Sequence, residues 1–246
     1  MKINRSTFLL LGIIILGLNL AFCALAQAEQ PQEDVLDAGA FARQERHGHS
    51  CAITFDDGPN KHTAELLDIL KGRGIHATFF VLGENVEKEP DLVRRMAQEG
   101  HEVDNHSFDH PKLRALNAQQ QWEEIEHTER LLKGLGVVPK FFRPPYGSYN
   151  AETVRDAARD NLVLVLWSVD SLDWKYRTVH DIEAHVVPKT PSTARGIFLF
   201  HDIHETTVTA MPDILDKLAK SGCSFVTLSQ WLALHPDAAK QQQNGK

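Results

Sequence analysis

Short apolar runs rich in β-branched and aromatic residues recur along this chain at 52–55, 77–82, 102–104, 141–143, 162–167, 197–200 and 225–228, and helical patterns separate them. The helical stretches fall at 62–72, 90–98, 118–135, 151–160, 179–187, 208–220 and 229–234; Asn117 suits an N-cap, and Gly100 and Gly136 suit stops. Strand and helix in strict alternation predict an α/β protein with a parallel sheet covered by helices. In such a fold the chemistry collects where the strands end at their carboxyl side, so residues just after each run are the ones to inspect.

The ends of the chain read differently. Lys2 and Arg5 precede an apolar stretch from Phe8, and Ala26-Gln27-Ala28 supplies a small-x-small cleavage pattern, so 1–28 reads as a secretory signal. An uncleaved anchor is the alternative, because the apolar run approaches the roughly 20 residues that span a bilayer. Phe22 stands where lipidation of Cys23 would want a small residue. Residues 29–48 read as a polar arm, 49–235 as the domain and 236–246 as a frayed tail. Export to the periplasm or beyond is the expectation.

With 42% hydrophobic and 24% charged residues among 246, the composition excludes wholesale disorder and a polytopic membrane protein. The formal net charge is −7, and losing the leader removes cations only, which argues against a nucleic-acid partner. Nothing implies a stable protein partner. Without the leader two cysteines remain, Cys51 and Cys223, each at the start of a strand, the first and the last. These would be neighbours if the sheet closed into a barrel, so a disulfide is one expectation in an oxidising compartment and two buried thiols the other.

Three segments at strand ends carry chemistry. Asp56-Asp57-Gly58-Pro59 follows the first run directly; alone it also reads as an Asp-rich turn, but two adjacent acids on alternating faces should have separate roles. His106 and His110 in "HSFDH" follow another strand end, four residues apart, a spacing that brings both imidazoles together if the backbone turns helically. One Asp plus two His gives three ligands and an open position, as in hydrolytic metal sites such as those of zinc. His201 ends the run "GIFLFH".

Taken together, "TFDDGP" (54–59), "HSFDH" (106–110), "RPPYG" (143–147), "DSLDW" (170–174) and "LFH" (199–201) resemble the ordered motifs of the polysaccharide deacetylases, carbohydrate esterase family 4 with its NodB-homology domain. The resemblance spans 50–231. It implies a distorted (β/α) barrel and metal-dependent removal of N-acetyl groups from N-acetylglucosamine units of a polysaccharide, with peptidoglycan the leading substrate. Chitin-like oligomers or the O-acetyl groups of an acetylated xylan are the alternatives. It implies Asp57, His106 and His110 as ligands of Zn2+ or Co2+, Asp56 as general base and Arg143 as its holder. It also implies the Tyr146 N–H as an oxyanion donor, His201 as general acid paired with Asp173, and Trp174 and Leu199 as the wall around the acetyl methyl. A glycan-binding module that has lost catalysis is the competing expectation from another class. Asp170 is expected to be structural, and Asp202, His204 and Thr207 to do no more than bond their loop.

Overall fold

The computed structural model describes residues 49–190 and 194–235 together with the backbone of Val35–Leu36. These all lie in a compact unit spanning Glu33–Lys246. The expected leader, nearly all of the arm and the tail lie outside the described residues.

Nine parallel strands form one sheet. They are β1 (Val35–Leu36), β2 (Ser50–Asp56), β3 (Thr78–Val81), β4 (Glu102–Asn105), β5 (Phe141–Phe142), β6 (Val163–Val165), β7 (Val169–Asp170), β8 (Gly196–His201) and β9 (Ser224–Val226). The order is β1-β6-β5-β4-β3-β2-β8-β7, with β9 added to β2. Every residue of β2 is buried, as expected of a parallel strand covered on both faces.

The helices are α1 (Thr63–Arg73), α2 (Gly83–Lys88), α3 (Pro90–Gln98), α4 (Ala118–Gly134), α5 (Ala151–Arg159), α6 (Val179–Val186), α7 (Glu205–Lys220) and α8 (Leu228–Leu234). Capping boxes open α4 at Asn117 and Gln120, α5 at Asn150 and Thr153, and α8 at Thr227 and Gln230, which satisfies amide groups that a helix start otherwise leaves bare.

The sheet curls because of one short link. Strands β6 and β7 lie near opposite edges of the order, yet only Leu166, Trp167 and Ser168 join them. Such a link reaches about 14 Å at most, so the two edges must approach. The result is a barrel closed by chain continuity rather than by a ladder, the distorted (β/α) barrel that the motifs imply. The predicted strand over 162–167 is therefore β6 plus the link. The two residues of β7, paired to Phe198 and Leu199, escape a reading based on apolar runs because they are too few to show a period.

Two further expectations need correction. The first and last strands do adjoin, but not by barrel closure. β8 pairs with β2 along Cys51–Asp56, while β3 takes Thr54–Asp56 and β9 takes Ser50–Ala52. Cys51 and Cys223 are joined by a disulfide with Cα atoms 5.9 Å apart, because β9 fills the lower half of one side of β2 that the shorter β3 leaves free. Helix α7 starts at Glu205, three residues before its first apolar residue, since the polar first turn carries Thr207 to a buried partner described below.

Candidate active site

Asp56 is the last residue of β2, and Asp57 leaves the strand at φ 73°. This left-handed step breaks the alternation of side chains, so both carboxylates reach one cavity instead of opposite faces. The loop is fitted closely: a Cβ on Gly58 would collide with the Asp202 carboxylate, and Asp202 accepts a hydrogen bond from Thr63 Oγ1. Asp202 is fully buried, and burial pushes its carboxyl up to about 7. Neither Asp202 nor Thr63 carries a sequence signal beyond its place in the loop.

His106 follows β4. The segment to His110 does not turn helically; Ser107 at φ 72° and His110 at φ 66° fold it through left-handed positions, and this brings the rings to 5.1 Å between centroids. The two rings thus come together as the spacing suggests, but by left-handed turns rather than a helical one. Helix α2, which has too few apolar residues to signal itself, braces the loop. Gly83 N and Glu84 N donate to the Ser107 and Phe108 carbonyls, and Asn85 Nδ2 donates to the Asp57 carbonyl at 2.9 Å. A side chain at Gly83 would strike Phe108 and Thr128, so the close approach requires glycine. From α4, Glu124 Oε2 accepts from the amides of Phe108 and Asp109.

The three groups meet. His106 Nε2 and His110 Nε2 each lie 3.4 Å from Asp57 Oδ1, and His106 Nε2 lies 3.7 Å from Asp56 Oδ2. His106 Nδ1 donates to the Arg143 carbonyl oxygen at 2.6 Å; since that oxygen can only accept, Nε2 is the nitrogen left to face Asp57 as a ligand. Asp57 Oδ1 is buried and accepts no hydrogen bond from any described residue. Burial raises the Asp57 carboxyl, but the nearby His106, His201 and His110 imidazoles outweigh it and hold the group well below the usual carboxylate range. Burial and the neighbouring His106 push His110 down, favouring the neutral, ligating form. An orphaned anionic oxygen beside converging imidazole nitrogens fits a divalent cation, and Asp57, His106 and His110 form the cluster among the described residues whose donor atoms lie within 4.8 Å of one another.

Arg143, just after β5, is fully buried. Its Nη1 donates to Asp56 Oδ1 at 2.7 Å and to Thr54 Oγ1 at 2.7 Å, its Nη2 donates to the Leu166 carbonyl, and its guanidinium lies 4.0 Å from the Phe80 ring centroid. The guanidinium and its aromatic floor fix one oxygen of Asp56 and leave the other facing His106. Pro144 and Pro145 then bend the chain into a short 3-10 turn, Pro145–Gly147, in which Tyr146 takes φ 59°. The Gly147 and Ser148 amides are used within that turn, and no backbone bond of the loop uses the Tyr146 N–H.

Opposite stands His201, the last residue of β8. Its Nδ1 lies 2.7 Å from Asp173 Oδ1, its amide donates to Asp173 Oδ2, and Thr207 Oγ1 donates to the same oxygen at 2.8 Å. Burial opposes charge on both partners, yet the pair prevails: Asp173 is lowered, and His201 is raised to about 9. With Nδ1 engaged by Asp173, Nε2 is the nitrogen that His201 has left for the cavity it lines.

That cavity, about 450 Å³, is lined by both acids, His106, His110, His201, Pro144, Tyr146, Trp167, Asp170, Trp174 and Leu199. Every predicted site residue outside the disulfide thus lines it or, like Arg143 and Asp173, holds one that does. Trp167, from the β6–β7 link, is a lining residue that the sequence did not signal. Asp170 also lines the cavity while its Oδ1 accepts the Leu172 amide, so its loop bond and its exposure to the site coexist.

A polysaccharide deacetylase family model matches residues 43–165, and the chain belongs to that family. It is 40% identical over 181 residues to the peptidoglycan-N-acetylglucosamine deacetylase PgdA of Listeria monocytogenes, covering 73% of this chain but 38% of the Listeria protein, so it spans well under half of that relative's length. A chitooligosaccharide deacetylase of Rhizobium leguminosarum bv. trifolii is 38% identical over 186 residues, covering 75% of this chain and 83% of its own. Among solved structures, the family 4 carbohydrate esterase from Streptomyces lividans in complex with acetate superposes with a TM-score of 0.68 at 35% identity, covering 74% of this chain and 93% of the esterase.

Proposed function

We propose that this protein hydrolyses the N-acetyl groups of N-acetylglucosamine residues in peptidoglycan, releasing acetate, and that it does so after export from the cytoplasm. The observation that carries the reading is the single cavity in which a cation-binding triad lies between an acid held by arginine and an imidazole held by aspartate. The nearness in sequence to peptidoglycan deacetylases supports the choice of glycan.

A divalent cation, Zn2+ with Co2+ as the alternative, would be held by Asp57, His106 and His110, and when bound supplies Lewis acidity to the acetamide carbonyl and acidifies water near neutral pH. Asp56, oriented by Arg143, takes a proton from the attacking water. The Tyr146 N–H donates to the carbonyl oxygen as it gains negative charge. His201 Nε2, protonated through its pairing with Asp173, delivers a proton to the departing sugar amine, which an amide needs far more than an ester does. Trp174 and Leu199 enclose the methyl of the acetyl group, a contact worth roughly 1 to 3 kcal/mol.

Mass spectrometry of peptidoglycan fragments, chitopentaose and acetylxylan after incubation with zinc-loaded protein tests this. The expected result is loss of acetyl groups from peptidoglycan glucosamine. Failure to release acetate from any of the three would sink the enzymatic reading in favour of a binding module.

A further inference from the structure

Tyr146 and Trp174 line the cavity yet stay 62% and 50% exposed, and the surroundings of Tyr146 hold a charge that the mechanism above does not use. Lys112 Nζ lies 5.4 Å from the centroid of the Tyr146 ring, and the same ring packs edge-on to His110 with centroids 4.5 Å apart. Tyr146 and His110 line the cavity, so Lys112 stands one ring away from a residue of the candidate cation triad.

The position of Lys112 is set by the chain on both sides. Two residues before it is His110, held in the cavity; immediately after it Leu113 is fully buried in a core cluster and opens the short 3-10 turn Leu113–Ala115. The side chain is exposed, and none of the ion pairs among the described residues engages it; the same holds for Lys61, Lys175, Lys189 and Lys220, but among these described lysines Lys112 is the one whose ammonium lies over the ring of a cavity-lining residue. An exposed cation without an ion-pair partner, beside a ring that lines the catalytic cavity, is free to meet an anion on a bound glycan.

We infer that Lys112 reads a carboxylate on the sugar next to the one being deacetylated, so that the site favours glycans whose alternate sugars carry acidic substituents over neutral N-acetylglucosamine polymers. The inference rests on the deacetylase reading and narrows its substrate class. Lys112 touches no reacting atom. Its part is to position the strand, with Tyr146 as the surface against which its own chain lies.

The test compares Lys112→Gln, Lys112→Glu and Lys112→Arg with the parent protein on soluble peptidoglycan strands freed of their stem peptides, so that the carboxylate of each acidic sugar is exposed, and on neutral chitopentaose. A solvent-exposed ion pair contributes about 0.2 to 1 kcal/mol, so KM for the acidic glycan should rise about threefold in Lys112→Gln and about tenfold on charge reversal. Its kcat should hold, Lys112→Arg should restore the parent value, and chitopentaose constants should stay put. Added salt should raise the parent KM for the acidic glycan alone. Lys189→Glu, an exposed change outside the cavity wall with the same effect on net charge, should leave both substrates unaltered. Equal changes on the two glycans, no change on reversal, or a parent protein that deacetylates only the neutral oligomer would overturn the role of Lys112 while leaving the catalytic reading intact. A parent protein inactive on both would overturn both.

Discussion

The two ends of β2 are built on opposite plans. At its amino end Cys51 is tied to Cys223, Ser50 pairs with Ser224, and the Ser224 amide donates to the His49 carbonyl at 2.7 Å. Below it α8 is pinned to the same end of the sheet, its Leu228 amide on Thr78 Oγ1 and its Ser229 amide on Glu102. At the carboxyl end the strand breaks into Asp57 at positive φ. Around that cavity Ser107, His110, Tyr146 and Leu172 share the conformation, and Asn161 is the sixth such non-glycine residue among those described. Left-handed backbone in non-glycine residues costs on the order of 1 to 3 kcal/mol each. The regular, cross-linked end supplies stability, and the irregular end spends some of it on holding charged groups where regular strand geometry would not put them.

If the ends divide labour in this way, the largest effect on chemistry should come from Asp56. Asp56→Asn should lower kcat about 10²- to 10⁴-fold with cation content close to the parent, while stability falls because the buried Arg143 guanidinium loses its counter-charge. Full activity in that variant would break the division outright. Arg143→Met sits between the plans, because it removes a buried cation and leaves Asp56 uncompensated. Denaturant titration should find it less stable by about 3 to 5 kcal/mol, and activity should fall with it.

At the other end, Cys51→Ser with Cys223→Ser should cost about 2 to 5 kcal/mol of stability while kcat measured well below the melting transition changes little. A loss of kcat without a loss of stability would show that the two ends are coupled.

The His201–Asp173 pair sharpens the comparison by pH. His201 is raised from its ordinary 6.5 to about 9, so the stability it contributes is complete below pH 6.5 and is lost as pH climbs through 9. In metal-free protein, NMR should show this imidazole titrating near 9, and loading the cation should move the midpoint down by charge repulsion. Asp173→Asn should bring the midpoint toward the ordinary value even without the cation. The smallest expected effect is that of Thr207→Val, which removes one of the donors to Asp173 and should cost about 0.5 to 1.5 kcal/mol in a denaturant titration.

Much of this was legible in the chain itself. Apolar runs separated by helical periods located most of the strands and helices, because burial on both faces leaves a continuous signal. The motif acids and imidazoles stood at strand ends, where chemistry in a parallel sheet has to collect. The two-residue β7, the six-residue α2 and the polar first turn of α7 left no periodic trace, since each is held by partners distant in sequence rather than by its own pattern. Nor could the linear order reveal Trp167 as a cavity wall, Asp202 as the neighbour of Gly58, or Lys112 as a cation lying against Tyr146. Which residue types stand at the ends of which strands follows from the order of residues along the chain. Only the folded chain decided which of them meet, because left-handed turns at Asp57, Ser107 and His110 and the three-residue link that curls the sheet set directions in space that no spacing along the chain encodes.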